Sequence, residues 1–237
     1  MIKLETDFDT IHSKIYLDIS FSDLRSSEIL YKNKQYMQCT FYFTQSVEKL
    51  IKAMGLYFNI INITESKDMR HNLLKIHKII LGSVVEDSEY ELFESFGAFN
   101  KNSFIDSLKI LDSLKEDLTM PLLVSQITED LAKQYIMELK KLDEKINLML
   151  SDSKIDFMAN FPKTIYIIMC EFTFGLFTLY FTNNSRYPNF KKIYSPIEKF
   201  KSNDFFINNY PEFYKYQKKA IIYFTEILNK NEVIDDL

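Results

Sequence analysis

Hydrophobic and polar residues between positions 36 and 58 recur with the period of an α-helix. At 100° per residue, four polar side chains of this segment fall within one arc of about 100°. They are Gln45, Glu48, Lys49 and Lys52. The opposite side of the helix carries Phe43, Val47, Leu50, Ile51 and Met54. The pattern predicts one helix with a buried apolar face and a compact polar face.

The polar face has two interpretations. Glu48 and Lys52 are four residues apart, in the order that favours an ion pair along a helix. A solvated pair of this kind contributes a few tenths of a kcal/mol and needs no function. The alternative is a binding surface, and spacing alone favours the solvated pair.

A second helix is predicted to begin near Ser66 or Asp68, because either side chain can accept a hydrogen bond from the free N–H groups of a first turn. Gly82 is its predicted end. Arg70 and His77 within it are seven residues apart, which is nearly two turns, so they share a face.

The face that carries His77 also carries Leu74 and Leu81, so His77 is predicted to lie among packed side chains. His71 lies about 100° away, beside Lys78 on the polar flank. The two histidines are therefore expected to have different surroundings.

Periodicity predicts further helices along the chain. Their predicted ranges are 21–33, 87–96, 103–117, 127–150, 162–184 and 210–229. The helix over 127–150 has apolar residues every three or four positions, which suits either another wall of the core or a surface for a partner. Residues 1–17 have no clear pattern, 189–209 read as a loop, and the tail from 232 is expected to fray.

Composition supports a helical protein. Only four Gly and five Pro occur in 237 residues, too few for the frequent turns of an all-β fold, and 46% of residues are apolar. The net charge of −4 argues against a dedicated duplex-DNA binder, so any contact with nucleic acid must use a local patch. The predicted fold class is all-α, an antiparallel helical bundle.

Cysteine usage and the N-terminal sequence favour a cytoplasmic protein. Cys39 and Cys170 are far apart and lack metal-type spacing, and the first ten residues do not resemble a signal peptide. The apolar run 165–181 is short and is interrupted by Glu171, so it predicts a buried central or dimer-interface helix and no membrane span. The buried carboxyl would need a polar partner.

Common enzyme signatures are absent from the sequence. There is no His-Glu-x-x-His or paired-cysteine metal spacing, no glycine-rich phosphate loop and no nucleophile elbow. We therefore predict no metal and no cofactor.

Three motifs carry a family resemblance. They are Phe41-x3-Gln45-x-Val47-Glu48-Lys49-x2-Lys52-Ala53, His71-Asn72-Leu73 and Ser185-Arg186-Tyr187-Pro188. In this order they resemble the HEPN (higher eukaryotes and prokaryotes nucleotide-binding) domain, a compact α-helical module. The resemblance implies a single HEPN-like domain over 1–237, with residues 83–160 as a helical insertion.

The resemblance also implies a function and partners. It implies a nucleotide- or RNA-binding site formed by His71, Arg186, Lys49, Lys52 and Glu48. A homodimer is expected, as is a toxin–antitoxin or defence setting with a nucleotidyltransferase-like or antitoxin partner.

Two alternatives remain open. Some HEPN proteins are metal-independent endoribonucleases, and Arg70 with His77 fits the loose form of their motif in a dimer cleft. His77 would take the proton of a ribose 2′-hydroxyl, while Arg70 would hold the charge that develops on the phosphate. The other alternative is a non-catalytic protein-interaction module that uses the helix over 127–150.

Overall fold

The computed structural model describes residues 3–69, 79, 121–151, 160–184 and 205–235. All regular structure within these ranges is α-helical, which confirms the predicted all-α class. The helices are α1 (Lys3–Lys32), α2 (Tyr36–Tyr57), α3 (Ile63–Asp68), α4 (Pro121–Ser151), α5 (Asn160–Asn184) and α6 (Phe205–Asp235). The helices predicted over 87–96 and 103–117 lie outside the described residues.

Helix bounds agree with the prediction for α2 and α5 and differ for the other long helices. α1 begins at Lys3, so residues assigned no pattern are helical. α4 begins at Pro121, before the predicted start at 127. α6 begins at Phe205, contains Pro211 and continues to Asp235, so part of the predicted loop and of the predicted frayed tail is helical.

α1 and α2 form an antiparallel pair joined by residues 33–35. The Ser13 hydroxyl donates to the Ala53 carbonyl over 2.8 Å, and the Ser20 hydroxyl donates to the Ser46 carbonyl over 2.8 Å. Ser27 continues this seven-residue series on α1 and is also buried. Small side chains on both helices allow close approach of the two backbones.

The apolar face of α2 packs against α5 and α6, as its pattern predicts. The ring of Phe43 lies 5.2 Å from that of Phe174 on α5 and 5.2 Å from that of Phe206 on α6. At the C-terminal end of α2, the centre of the Tyr57 ring lies 5.6 Å from that of the Phe224 ring. The centre of the bundle is therefore an aromatic cluster between α2, α5 and α6.

α4 forms another wall of this core. Its apolar stripe is buried from Tyr135 to Ile146, and the centre of the Tyr135 ring lies 4.9 Å from that of Phe172 on α5. Lys219 on α6 donates to Asp143 and, over 2.7 Å, to Asn147. Of the two interpretations of this helix, the structure therefore supports the one in which its apolar residues form part of the core.

Glu171 is completely buried in α5. Burial raises the pKa of its carboxyl well above the usual range, and the interaction with Gln217 of α6 opposes that rise. Gln217 is thus the polar neighbour that the sequence could not identify. Across the described parts of the chain, no helix has the length and apolar character needed to cross a membrane.

Candidate functional site

The ion pair between Glu48 and Lys52 expected from spacing is present, but it is buried, so the expectation that it is solvated is wrong. Glu48 is 0% exposed and Lys52 is 4% exposed, while Gln45 is 8% exposed. The side chain of Lys49 is 14% exposed, the largest fraction among these residues. Helical periodicity identified the polar arc correctly but carries no information on what packs over it.

Glu48 connects the other polar side chains. One carboxylate oxygen, Oε1, accepts from the Lys49 ammonium over 2.9 Å and from the Lys52 ammonium over 3.2 Å. The other, Oε2, accepts from the Gln45 amide over 3.4 Å. We call Gln45, Glu48, Lys49 and Lys52 the α2 polar cluster.

The α2 polar cluster is enclosed partly by α1. The Lys52 ammonium lies 5.9 Å from the centre of the Tyr16 ring, a cation–π distance. The hydroxyl of Ser66 on α3 donates to the Tyr16 hydroxyl over 3.2 Å. Tyr16 therefore links three helices at the enclosed end of the cluster, beside Lys52.

α3 is a short helix that ends where the second helix was predicted to begin. Asn62 is the N-terminal cap, and its side chain accepts from the backbone N–H of Glu65, whose carboxylate accepts from the backbone N–H of Asn62. Ser66 lies inside the helix and is buried, and Asp68 is its last residue. Neither is the cap of α3, and the helix predicted to continue to Gly82 lies outside the described residues beyond Met69, except for Ile79.

Asp23 on α1 is a member of the site that sequence reasoning missed. The pKa of its carboxyl is raised from 3.8 to about 6, mainly by burial; Lys49 lowers this pKa and Glu48 raises it. Tyr16 and Asp23 are seven residues apart and so share a face of α1. That spacing could have identified both residues only if the helix had been predicted to begin before position 16.

Arg70, His71, His77 and Arg186 lie outside the described residues. Their convergence with the α2 polar cluster stays a prediction.

The geometry assigns different chemistry to the two lysines. Lys52 is enclosed by Tyr16 and paired with Glu48, so its main effect is to neutralise that carboxylate. Lys49 shares the same carboxylate oxygen but reaches the surface, so it can exchange Glu48 for an external anion. Within the described residues, no group of three or more His, Cys, Asp and Glu side chains is arranged to hold a metal ion.

Comparison with known families supports the resemblance seen in the motifs. Residues 13–96 match the family model described as HEPN domain. No curated protein and no solved structure matches the chain. The matched range contains α2 and α3, most of α1 and the whole α2 polar cluster. Residues 13–96 of this all-α protein are therefore similar to the HEPN domain family.

Proposed function

We propose that this protein binds a nucleotide or RNA at the polar face of α2, as a homodimer. Lys49 contacts a phosphate, and Glu48 and Lys52 position it. His71 and Arg186 are further ligands in this proposal, on the strength of the resemblance alone. The toxin–antitoxin setting belongs to the same proposal.

The buried charge of the α2 polar cluster supports this proposal most directly. Taking a carboxylate and two ammonium groups out of water costs several kcal/mol per ion before their mutual attraction is counted. Apolar side chains of similar volume would stabilise the bundle at least as well. Clusters that are costly in this way are concentrated at functional sites.

The balance of charge suits a phosphate. Glu48 neutralises one of the two ammonium groups, which leaves about one positive charge when the neighbouring Asp23 carboxyl is protonated, below its pKa of about 6. When Lys49 turns to a phosphate, Lys52 continues to neutralise Glu48, so no buried charge is left alone. An anion can therefore bind locally although the whole chain has a net charge of −4.

Binding can be tested by fluorescence anisotropy with labelled single-stranded RNA and with a labelled adenine nucleotide, each at several salt concentrations. We expect Lys49→Gln to weaken binding of at least one ligand. If that ligand is RNA, the slope of log K against log salt should fall by about 0.7 for the lost phosphate contact. Lys141→Gln is the matched control, because Lys141 is an exposed lysine on α4 paired with Glu138.

Equal binding by the Lys49 and Lys141 variants would overturn the assigned role of Lys49, and absence of binding to either ligand would overturn the function. Arg186→Ala tests, in the same assay, the binding role that the family resemblance implies for Arg186. Gel analysis of the RNA mixtures, with chelator present, tests the endoribonuclease alternative. Cleavage that disappears in His77→Ala while helix content is unchanged would replace simple binding with catalysis.

A further inference from the structure

α1 covers both ends of the α2 polar cluster. Tyr16 closes the end that holds Lys52, whose ammonium lies 5.9 Å from the centre of the Tyr16 ring. Asp23 lies seven residues further along α1, which is nearly two turns and about 10 Å. Of the charged groups that act on its carboxyl, Lys49 has the larger effect and Glu48 the smaller. Asp23 therefore flanks the end of the cluster at which Lys49 reaches the surface.

The contact between α1 and α2 holds Asp23 in this place. The hydroxyl of Ser20, one turn before Asp23, donates to the Ser46 carbonyl over 2.8 Å, and the two serine hydroxyls lie 3.1 Å apart. Both serines are completely buried, so the two helices pack closely here. Asp23 itself is only partly buried, so its carboxyl can exchange a proton with solvent while it stays beside Lys49.

The charge of the site depends on the carboxyl of Asp23. The two ammonium groups and the one carboxylate of the α2 polar cluster carry about one positive charge together. An ionised Asp23 cancels that charge, and a bound phosphate would then make a partly dehydrated site negative. Because charges interact more strongly where water is scarce, phosphate and an ionised Asp23 oppose each other.

We propose that binding of a phosphate at Lys49 is coupled to the uptake of one proton by the carboxyl of Asp23. In the ligand-free protein, the Asp23 carboxylate offsets the charge of Lys49. On binding, a proton from solvent neutralises Asp23, and the phosphate takes its place as the counter-charge of Lys49. The inference rests on the proposed function and names the regulation of that site, which takes up phosphate more readily as pH falls.

The titration of Asp23 sets the pH range of this coupling. Burial, with a smaller contribution from Glu48, raises the pKa of Asp23 to about 6 although Lys49 lowers it. A carboxyl with this pKa changes its charge between pH 5 and pH 7.5. The coupling therefore operates around neutral pH.

The other helices that contact α1 bring their charged groups to other positions. Tyr214 and Lys218 of α6 act on Glu28, five residues beyond Asp23. α3 meets α1 at Tyr16, where the Ser66 hydroxyl donates to the Tyr16 hydroxyl. The charged groups that act on Asp23 are therefore those of α2.

Sulfate binding to the full chain tests the coupling, because sulfate remains a dianion throughout this pH range and does not titrate itself. NMR spectra recorded during a sulfate titration, at pH 5 and at pH 7.5, follow the amides of residues 45–52 in α2. We expect the affinity to be about tenfold higher at pH 5. Asp23→Asn should bind at pH 7.5 as tightly as the unmodified protein does at pH 5, and its affinity should not depend on pH.

Asp18→Asn is the matched control. Asp18 is exposed on the same helix and lies about 140° around its axis from Asp23, so this variant removes the same charge away from the site. It should keep the pH dependence of the unmodified protein. A dependence caused by histidines would persist in Asp23→Asn, so the comparison assigns the effect to one carboxyl.

A second measurement uses the carboxyl itself. Because coupling between two bound species is reciprocal, bound sulfate should raise the pKa of Asp23. The pH dependence of its ¹³C carboxyl signal, with and without sulfate, measures this change, and the absence of the signal in Asp23→Asn identifies it. A purely structural role for Asp23 would leave its pKa unchanged by sulfate.

The outcomes separate this inference from the proposed function. Sulfate binding with equal affinity at both pH values, or an Asp23 pKa that sulfate does not change, would overturn the coupling and leave the anion site standing. Absence of sulfate-dependent shifts in α2 at pH 5 would overturn the anion site, and the coupling with it.

Discussion

At the residue scale, the central observation is that Glu48 holds two ammonium groups on a single buried oxygen atom. The three charges are separated from water unequally, since Lys52 is enclosed while Lys49 reaches the surface. The carboxylate therefore holds the Lys49 ammonium in an ion pair at the accessible side of the cluster, where a phosphate would replace it in the proposed function. We regard Glu48 as a positioning residue rather than a ligand, which refines its role in the predicted site.

Asp23 gives the site a dependence on pH. Its pKa is about 6 in the folded protein, against 3.8 for a free carboxyl, so the folded state holds the proton more tightly. The stability that this group contributes is fully present below pH 4 and is lost as pH rises through 6. We expect Asp23→Asn to be more stable than the unmodified protein at pH 7 and to lose this part of the pH dependence.

Urea denaturation at several pH values between 4 and 7.5 measures this effect. Asp68→Asn is the control, because Asp68 is an exposed aspartate at the end of α3. The assigned pKa would be contradicted if the difference in free energy of unfolding between Asp23→Asn and the unmodified protein stayed constant across this pH range.

At the element scale, the pairing of α1 with α2 explains why one helix was predicted well and the other was not. The apolar face of α2 is made of large residues, so its period is visible in the sequence. The positions of α1 that face α2 alternate between serine and leucine, as in Ser13, Leu17 and Ser20. About half of the residues on this buried face are therefore polar in the sequence. For this reason the helix could not be predicted to begin before position 21.

Close packing at Ser20 makes the pair sensitive to side-chain size. We expect Ser20→Ala to cost about 1 kcal/mol, mainly through the lost hydrogen bond to the Ser46 carbonyl. Ser20→Leu should cost about 3 kcal/mol, because a larger side chain forces the backbones apart. Urea denaturation at pH 7 measures both, with Thr225→Leu on the exposed side of α6 as the control. Similar costs for alanine and leucine at position 20 would show that the helices do not approach closely there.

At the scale of the whole molecule, α4 shows where sequence patterns stop being informative. Its apolar period is the same whether the stripe faces the core or a partner, so sequence alone left both alternatives open. The structure places Leu139 and Ile146 in the core, and an ion pair between Asp143 and Lys219 links the helix to α6. The burial of the α2 polar cluster was unpredictable for the same reason, since it depends on residues distant in sequence.

Removal of the Asp143 carboxylate should loosen α4. The Lys219 ammonium lies 5.2 Å from the centre of the Tyr166 ring and 5.2 Å from that of the Tyr223 ring, and its side chain is only 19% exposed. Asp143→Ala would leave this ammonium without its carboxylate, at a cost of about 3 kcal/mol. Hydrogen exchange of peptides from 133–150 should become faster.

Lys215→Ala provides the matched control. Lys215 contacts the same carboxylate over 3.9 Å, but its side chain is 67% exposed, so its removal should change exchange in α4 very little. Equal acceleration by Asp143→Ala and Lys215→Ala would contradict the role assigned to the buried ion pair.

The seven-residue spacing of the buried serines in α1 has a consequence for folding. Sliding α1 along α2 by about 10 Å would again bring small side chains together, so the hairpin alone does not select one alignment. The three-residue connection restricts that movement, and the 2.6 Å contact of Ser27 with the hydroxyl of Tyr210 fixes it from a position 183 residues further along the chain. The register of the first two helices is therefore completed only when the last helix has docked.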